Sequence, residues 1–236
     1  MTPLVTVRGL TARAGEAVLL DAVDFDLYES RVTALVGPSG SGKTTAALSL
    51  LGEAGPGVRL SGRVTADGVT AVDANGATAQ AASLPGRVIA YMPQHPGSAL
   101  NPARRTGAVL AELARLHRPD AEPATAVSEA LRSTQLSPGR DVERRFPHQF
   151  SGGSAPACRA RADPGVPAPA SSSWTEPSTG LDTVARMRLA EELAALVRGG
   201  LALLLLSHDH DLVRALADHV VVLRRGRVVA SGDARR

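Results

Sequence analysis

Residues Gly37-Pro38-Ser39-Gly40-Ser41-Gly42-Lys43-Thr44-Thr45 fit the spacing G-x-x-x-x-G-K-[ST], a pattern suited to holding phosphates. The glycines let successive backbone N–H groups turn inward on an anion, and a helix N-terminus adds about half a positive charge. The Lys43 side chain is placed to reach β- and γ-phosphates, and the Thr44 hydroxyl to ligate Mg²⁺. The flanks have the context this chemistry needs. Residues 32–36, short, apolar and β-branched, predict a buried strand, and 45–51 predict a helix ended by Gly52. The loop therefore predicts binding of a nucleoside triphosphate.

Other elements must hold that loop in place. Residues 3–8 and 22–28 alternate apolar and polar side chains (Val5, Val7; Val23, Phe25, Leu27), as half-buried antiparallel strands do. Residues 60–65 read as another strand running into a turn at Asp67-Gly68. Together they predict a small antiparallel sheet over about 1–31 and 58–70. Residues 67–87, rich in Ala, Gly, Asp and Thr, read as loop with a short helix, and 87–92 as strand. From about 98 to 152 the pattern turns helical: Val109, Leu110, Leu113 and Leu116 lie at 3.6-type spacing, and Val127, Ala130 and Leu131 repeat it. Glu112, Glu129 and Glu191 fall on helical stretches and read as solvated surface. Residues 183–198 predict an amphipathic helix ended by Gly199-Gly200. Residues 202–207 predict a strand of the fully buried, parallel-sheet kind. A helix over 209–217 and two strands, 219–223 and 227–230, follow, with Arg225-Gly226 turning between them.

Composition narrows the setting. The 236 residues suffice for one α/β domain with a subsidiary lobe. A net charge of +3, with no dense Lys/Arg run and no aromatic-basic interleaving, gives no footprint for nucleic acid. The single cysteine, Cys158, excludes an internal disulfide and points to the cytosol. The longest apolar run, 201–206, is far too short to span a bilayer, so any spanning helices must come from another polypeptide.

Four further motifs carry a resemblance. Tyr91-Met92-Pro93-Gln94-His95-Pro96, followed by Ser98-Ala99-Leu100-Asn101-Pro102, resembles the Q-loop of ABC-type ATPases, in the branch serving dipeptide, oligopeptide and nickel importers. Pro147-His148-Gln149-Phe150-Ser151-Gly152-Gly153 resembles that branch's signature motif. Glu176-Pro177-Ser178-Thr179-Gly180-Leu181-Asp182 resembles the end of Walker B running into the D-loop, and Ser207-His208-Asp209 the switch-histidine motif.

The resemblance implies a P-loop NTPase (RecA-like) core with a mainly parallel sheet, a small antiparallel β subdomain and a helical subdomain, one ABC-type ATPase domain over 1–236. It implies ATP and Mg²⁺ as cofactors, and Glu176 as the general base polarising the attacking water. It further implies His208 on the γ-phosphate and Gln94 sensing Mg²⁺ and water. Ser151, Gly152 and Gly153 would close on the nucleotide of a second ATP-binding subunit, in a homodimer or heterodimer. The implied assembly adds transmembrane permease subunits and an extracytoplasmic solute-binding protein, with this chain peripheral on the cytoplasmic face of the membrane.

The text departs from that pattern in three places. Ala14 stands where the family often has an adenine-stacking aromatic, and Glu29-Ser30-Arg31 replaces a Pro-Gly-Glu turn. Residues 154–175 depart furthest. The family has a helix there, then the central Walker B strand ending in a Mg²⁺-orienting Asp. Here stand Pro156, Pro164, Pro167 and Pro169, a single aliphatic residue larger than Ala (Val166), and Thr175 in the Asp position. Proline breaks helices and is excluded from central strands, so neither element is expected to form. Codon arithmetic suggests a cause. With TCN serine codons, 171–175 read from the third base of the Ala170 codon become three large apolar residues, then Leu, Val or Met, then a forced Asp. Compensating indels in the coding record, or a degenerate, catalytically impaired partner of a heterodimer, are the two readings this leaves open beside an active ATPase.

Overall fold

A computed structural model of the chain describes residues 1–94, 101–117, 120–133, 139–150 and 170–234. The alternation at the N-terminus runs further than the sequence suggests. Strands β1 (Val5–Ala14) and β2 (Ala17–Leu27) form one long hairpin turning at Gly15-Glu16. Strand β3 (Val32–Val36) leads into the phosphate loop, and α1 (Lys43–Ser49) leaves it. Next come β4 (Val58–Ala66), β5 (Val69–Asp73) and β6 (Gly76–Ala77). The sheet order β2-β1-β4-β5-β6 is antiparallel throughout. Residues 69–77, expected as loop, are therefore two strands. Their small side chains hide the alternation, and the pairing Val64↔Val72 supplies the order. The expected short helix is a 3₁₀ turn at Ala79–Ser83.

Among the described residues the second sheet has six strands, in the order β11-β10-β3-β9-β8-β7. They are β7 (Ile89–Met92), β8 (Ser171–Thr175), β9 (Ala202–Leu206), β10 (His219–Arg224) and β11 (Arg227–Asp233), with β3. β10, β3, β9 and β8 run parallel, and β11 closes the edge antiparallel. This is the α/β architecture expected, with a mainly parallel sheet beside an antiparallel one. Apolar side chains from both sheets and α1, among them Leu10, Leu35, Leu50, Leu204 and Val221, form one buried cluster.

Among the described residues the helices that follow α1 are α2 (Thr106–His117), α3 (Pro123–Ser133), the single turn α4 (Arg140–Glu143), α5 (Thr183–Arg198) and α6 (His210–Leu216). Two compact units divide the chain. One holds residues 1–91, 169–179 and 183–236, and the other 92–168 and 180–182. The second has its own small core of Leu110, Val127, Ala130 and Leu131, four of the residues the helical spacing picks out, with Val109 packed against it; Leu116, of the same pattern, is exposed instead. Its 3₁₀ turn, Pro147–Gln149, is closed by the Gln149 side chain accepting the Phe146 N–H at 2.9 Å.

Strand β8 corrects an expectation. Residues 171–175 do form a strand, paired with β9 from Ser171↔Ala202 to Thr175↔Leu206, and every one of them is buried. The expectation treated 154–175 as one block, but its prolines all precede 170, and 154–169 lie outside the described residues. Within 171–175 nothing blocks a ladder. Two of the serine hydroxyls are absorbed locally: Ser171 Oγ donates to Val88 C=O at 3.2 Å, and Ser172 Oγ accepts from Trp174 Nε1 at 2.7 Å. Nor is the strand without bulk, because the buried Trp174 indole supplies it.

Candidate functional site

Three parallel neighbours, β3, β9 and β8, end in register, with Leu35 beside Leu206 and Leu206 beside Thr175. The next residues therefore emerge side by side: the phosphate loop after β3, Ser207-His208-Asp209 after β9, and Glu176 after β8. Strands lie ~4.8 Å apart, so the loop and Glu176 are separated by only about 10 Å across β9. Ligands of open α/β sheets bind in the crevice beyond such carboxyl ends.

The loop itself is built for close approach. Gly42 precedes α1 with φ 103°, and a Cβ there would lie 2.6 Å from Leu20 Cδ2 and 2.7 Å from Leu19 C=O. Lys43 Nζ donates to the carbonyls of Gly37 at 2.8 Å and Pro38 at 3.1 Å, so its ammonium lies across the loop. Pro38, Ser39, Gly40 and Thr44 are exposed, whereas the Ser41 hydroxyl is buried with no partner among the described residues. Thr45 is half-buried at the start of α1. A wound loop with an inward lysine, an exposed Thr44 hydroxyl and an unused Ser41 hydroxyl fits a magnesium triphosphate.

Glu176 is buried directly after β8, with a positive φ of 48°. Its N–H donates to Leu206 C=O at 2.7 Å, which ties the turn to β9. Its Oε2 lies 2.8 Å from His208 Nδ1 and accepts the His208 N–H at 3.2 Å and the Ser207 hydroxyl at 3.3 Å. A non-glycine residue held at positive φ costs of order 1–3 kcal/mol, and such strain clusters at functional sites. The carboxylate side chain is 9 % exposed and its imidazole partner 74 % exposed. The pair thus sets a buried carboxylate against a solvent-facing imidazole.

Other predicted residues are more scattered. Gln94 is exposed, two residues past β7, in the helical unit. Asp182 is exposed immediately before α5. Ser151, Gly152 and Gly153 lie outside the described residues, as do 95–100 of the Q-loop tail. Thr175 is buried, and its hydroxyl reaches Tyr91 Oη at 3.4 Å, a long contact. Sequence reasoning missed Ser207 as a partner of Glu176. Its place just before the histidine was visible, but a buried serine after a leucine run gives no distinct signal.

Fold and loop together define a P-loop nucleoside triphosphatase. More narrowly, the chain belongs to the ABC transporter family, whose profile matches residues 20–158, and it is an ATP-binding (ATPase) subunit of that family. It is 36 % identical over 233 residues to a nickel import ATP-binding protein of Rhodospirillum rubrum, covering 96 % of this chain and 85 % of that one. It is 33 % identical over 241 residues to a putative peptide import ATP-binding protein of Brucella ovis, covering 97 % and 71 %. A dimeric ATP-binding cassette in a post-hydrolysis state with ADP and Pi superposes with a TM-score of 0.81 over 98 % of this chain and 99 % of that one. At 20 % identity this likeness bears on the fold. Among the described residues no helix is long and apolar enough to cross a membrane.

Proposed function

We propose that the chain powers an importer for nickel, peptides or a similarly small solute by binding and hydrolysing ATP, and that 1–236 act as one cassette. The names of its relatives and the Ser98-to-Pro102 stretch support this solute class. The cassette pairs with a second ATP-binding subunit, docks on transmembrane permease subunits at the cytoplasmic face, and is supplied by an extracytoplasmic solute-binding protein. Bound ATP with Mg²⁺ supplies the phosphoryl group and part of the charge neutralisation. Residues 37–45 hold the phosphates, with Thr44 and Gln94 toward the metal, and Glu176 polarises the attacking water. His208 orients the γ-phosphate, and Ser151, Gly152 and Gly153 complete the partner's site, with Asp182 at the D-loop.

The observation that carries this reading is the 2.8 Å contact of Glu176 with His208, one strand away from the loop's own strand. Glu176→Gln keeps the shape and removes the base. ATP binding is expected to persist while turnover falls by about 10²–10⁴. Ordinary turnover in that variant refutes the assignment.

Thr175 supports a second reading, a nucleotide-binding partner with impaired hydrolysis. Its neutral hydroxyl, turned to Tyr91, stands where the family has a carboxylate for Mg²⁺. ATPase assays of the chain alone and with its paired subunit separate the two readings. Resequencing the gene, with peptide mass mapping of 154–175, tests the frameshift. An in-frame read ends that idea.

A further inference from the structure

Three side chains with no place in the scheme above converge behind Glu176 and His208. The Asp209 carboxylate accepts the N–H groups of Asp211 and Leu212, at 3.1 Å each, which caps α6. Capping needs only those two contacts. Asp209 makes two more: its other oxygen lies 3.4 Å from Arg186 Nε on α5, and the Ser178 hydroxyl hydrogen-bonds to it from the turn after β8. Burial pushes this carboxyl up, but the Leu212 N–H, the Ser178 hydroxyl, Arg186 and the Asp211 N–H outweigh it and hold the group below the usual carboxylate range.

The chain of contacts continues to the reacting pair. The Asp209 N–H donates to Ser207 Oγ at 3.0 Å, and Ser207 Oγ donates onward to Glu176 Oε2 at 3.3 Å. One carboxylate therefore joins the turn after β8, helix α5, the turn after β9 and helix α6. Past Thr175↔Leu206 and the Glu176 N–H bond to Leu206 C=O the ladder stops, and the contacts that continue between the two turns are made by side chains.

We propose that Asp209, gripped by Arg186 and Ser178, is a positioning residue for hydrolysis: it locks the turn carrying His208 against the turn carrying Glu176. This rests on the roles proposed above for Glu176 and His208. Substrate is held by other residues, so the lock acts on the rate of the chemical step and leaves ATP affinity alone.

The test compares Asp209→Asn, Arg186→Ala, Arg186→Lys and the Asp209→Asn/Arg186→Ala double variant, each in the full chain with its paired subunit. Asparagine caps a helix as well as aspartate, so Asp209→Asn removes the charge pair and spares α6. Each of the first two variants is expected to lower kcat roughly tenfold with KM for ATP within about twofold, and lysine at 186 to restore most of the rate. The double variant should be no slower than the slower single one, as expected of two residues in one network. Unchanged kcat in the folded single variants, a matching rise in KM, or multiplying losses in the double variant would overturn the proposal. If the parent turns over no ATP, the functional reading fails separately, and the nucleotide-free chain still decides this one by NMR. Ser178→Ala, which changes no charge, should then move the backbone amide resonances of Ser207 and His208 in the direction that Glu176→Gln moves them, and superposition on the parent spectrum refutes the lock.

Discussion

Strands β8 and β9 lie side by side, are buried along their whole length, and share no residue type. β9 is Ala-Leu-Leu-Leu-Leu, and each leucine contributes about 1.5–3 kcal/mol by leaving water. β8 is Ser-Ser-Ser-Trp-Thr, whose serines contribute almost no apolar area. Its seat depends on the β9 ladder, on the Ser171 N–H donating to Val88 C=O at 2.8 Å, and on Trp174. The contrast shows that a strand need not supply its own driving force. One neighbour stabilises the sheet and the other is carried by it, and the carried strand is the one that delivers Glu176.

The contrast can be broken from either side. The largest effect is expected in β9: Leu204→Ala, at a fully buried position, should cost about 2–5 kcal/mol of stability in urea unfolding. A loss below 1 kcal/mol would mean that β9 is not the strand bearing the load. An intermediate effect, on activity, is expected at the end of β8. Thr175→Asp places a carboxylate beside Tyr91 and should raise ATP turnover by about tenfold, roughly 1.4 kcal/mol of barrier. No gain would show that hydrolysis here does not wait on that position. The smallest is Ser173→Ala. This hydroxyl is buried without a partner among the described residues, so its removal should leave stability unchanged or raise it by about 1 kcal/mol. A clear loss in the same urea titration would reveal a partner for it and narrow the difference between the strands.

The elements legible in the sequence are those whose residues declare their own surroundings. Four leucines in a row, cut off by Gly199-Gly200 before and Ser207 after, are too short for a helix and fit a fully buried strand, and Gly-Ser-Gly-Lys-Thr after a β-branched run fits a tight loop opening a helix. β8 was not legible, because its order comes from β9 and β7. β5 and β6 failed for a similar reason, since Thr70, Ala71 and Gly76 become strand only when β4 is beside them. At the site, the types and sequence order of Glu176 and His208 pointed to their chemistry. Their meeting depends on the strand order β3-β9-β8, which no local pattern encodes. The same holds for Arg186, and for Ser178 and Asp209, which sit inside two of the motifs but whose mutual contact exists only once three segments meet.

The β10–β11 hairpin has a consequence for how the protein is made. Gly226, with φ 78°, donates its N–H to the Ser41 carbonyl at 3.1 Å, and a Cβ there would lie 2.6 Å from Leu19 C=O. Arg227 pairs with Asp21 on the same side. The phosphate loop is thus braced by residues translated long after it. A nascent chain still lacking that hairpin carries the whole phosphate-loop text with its backing open, so the capacity to hold nucleotide should arrive only when the hairpin does, as a step and not by degrees.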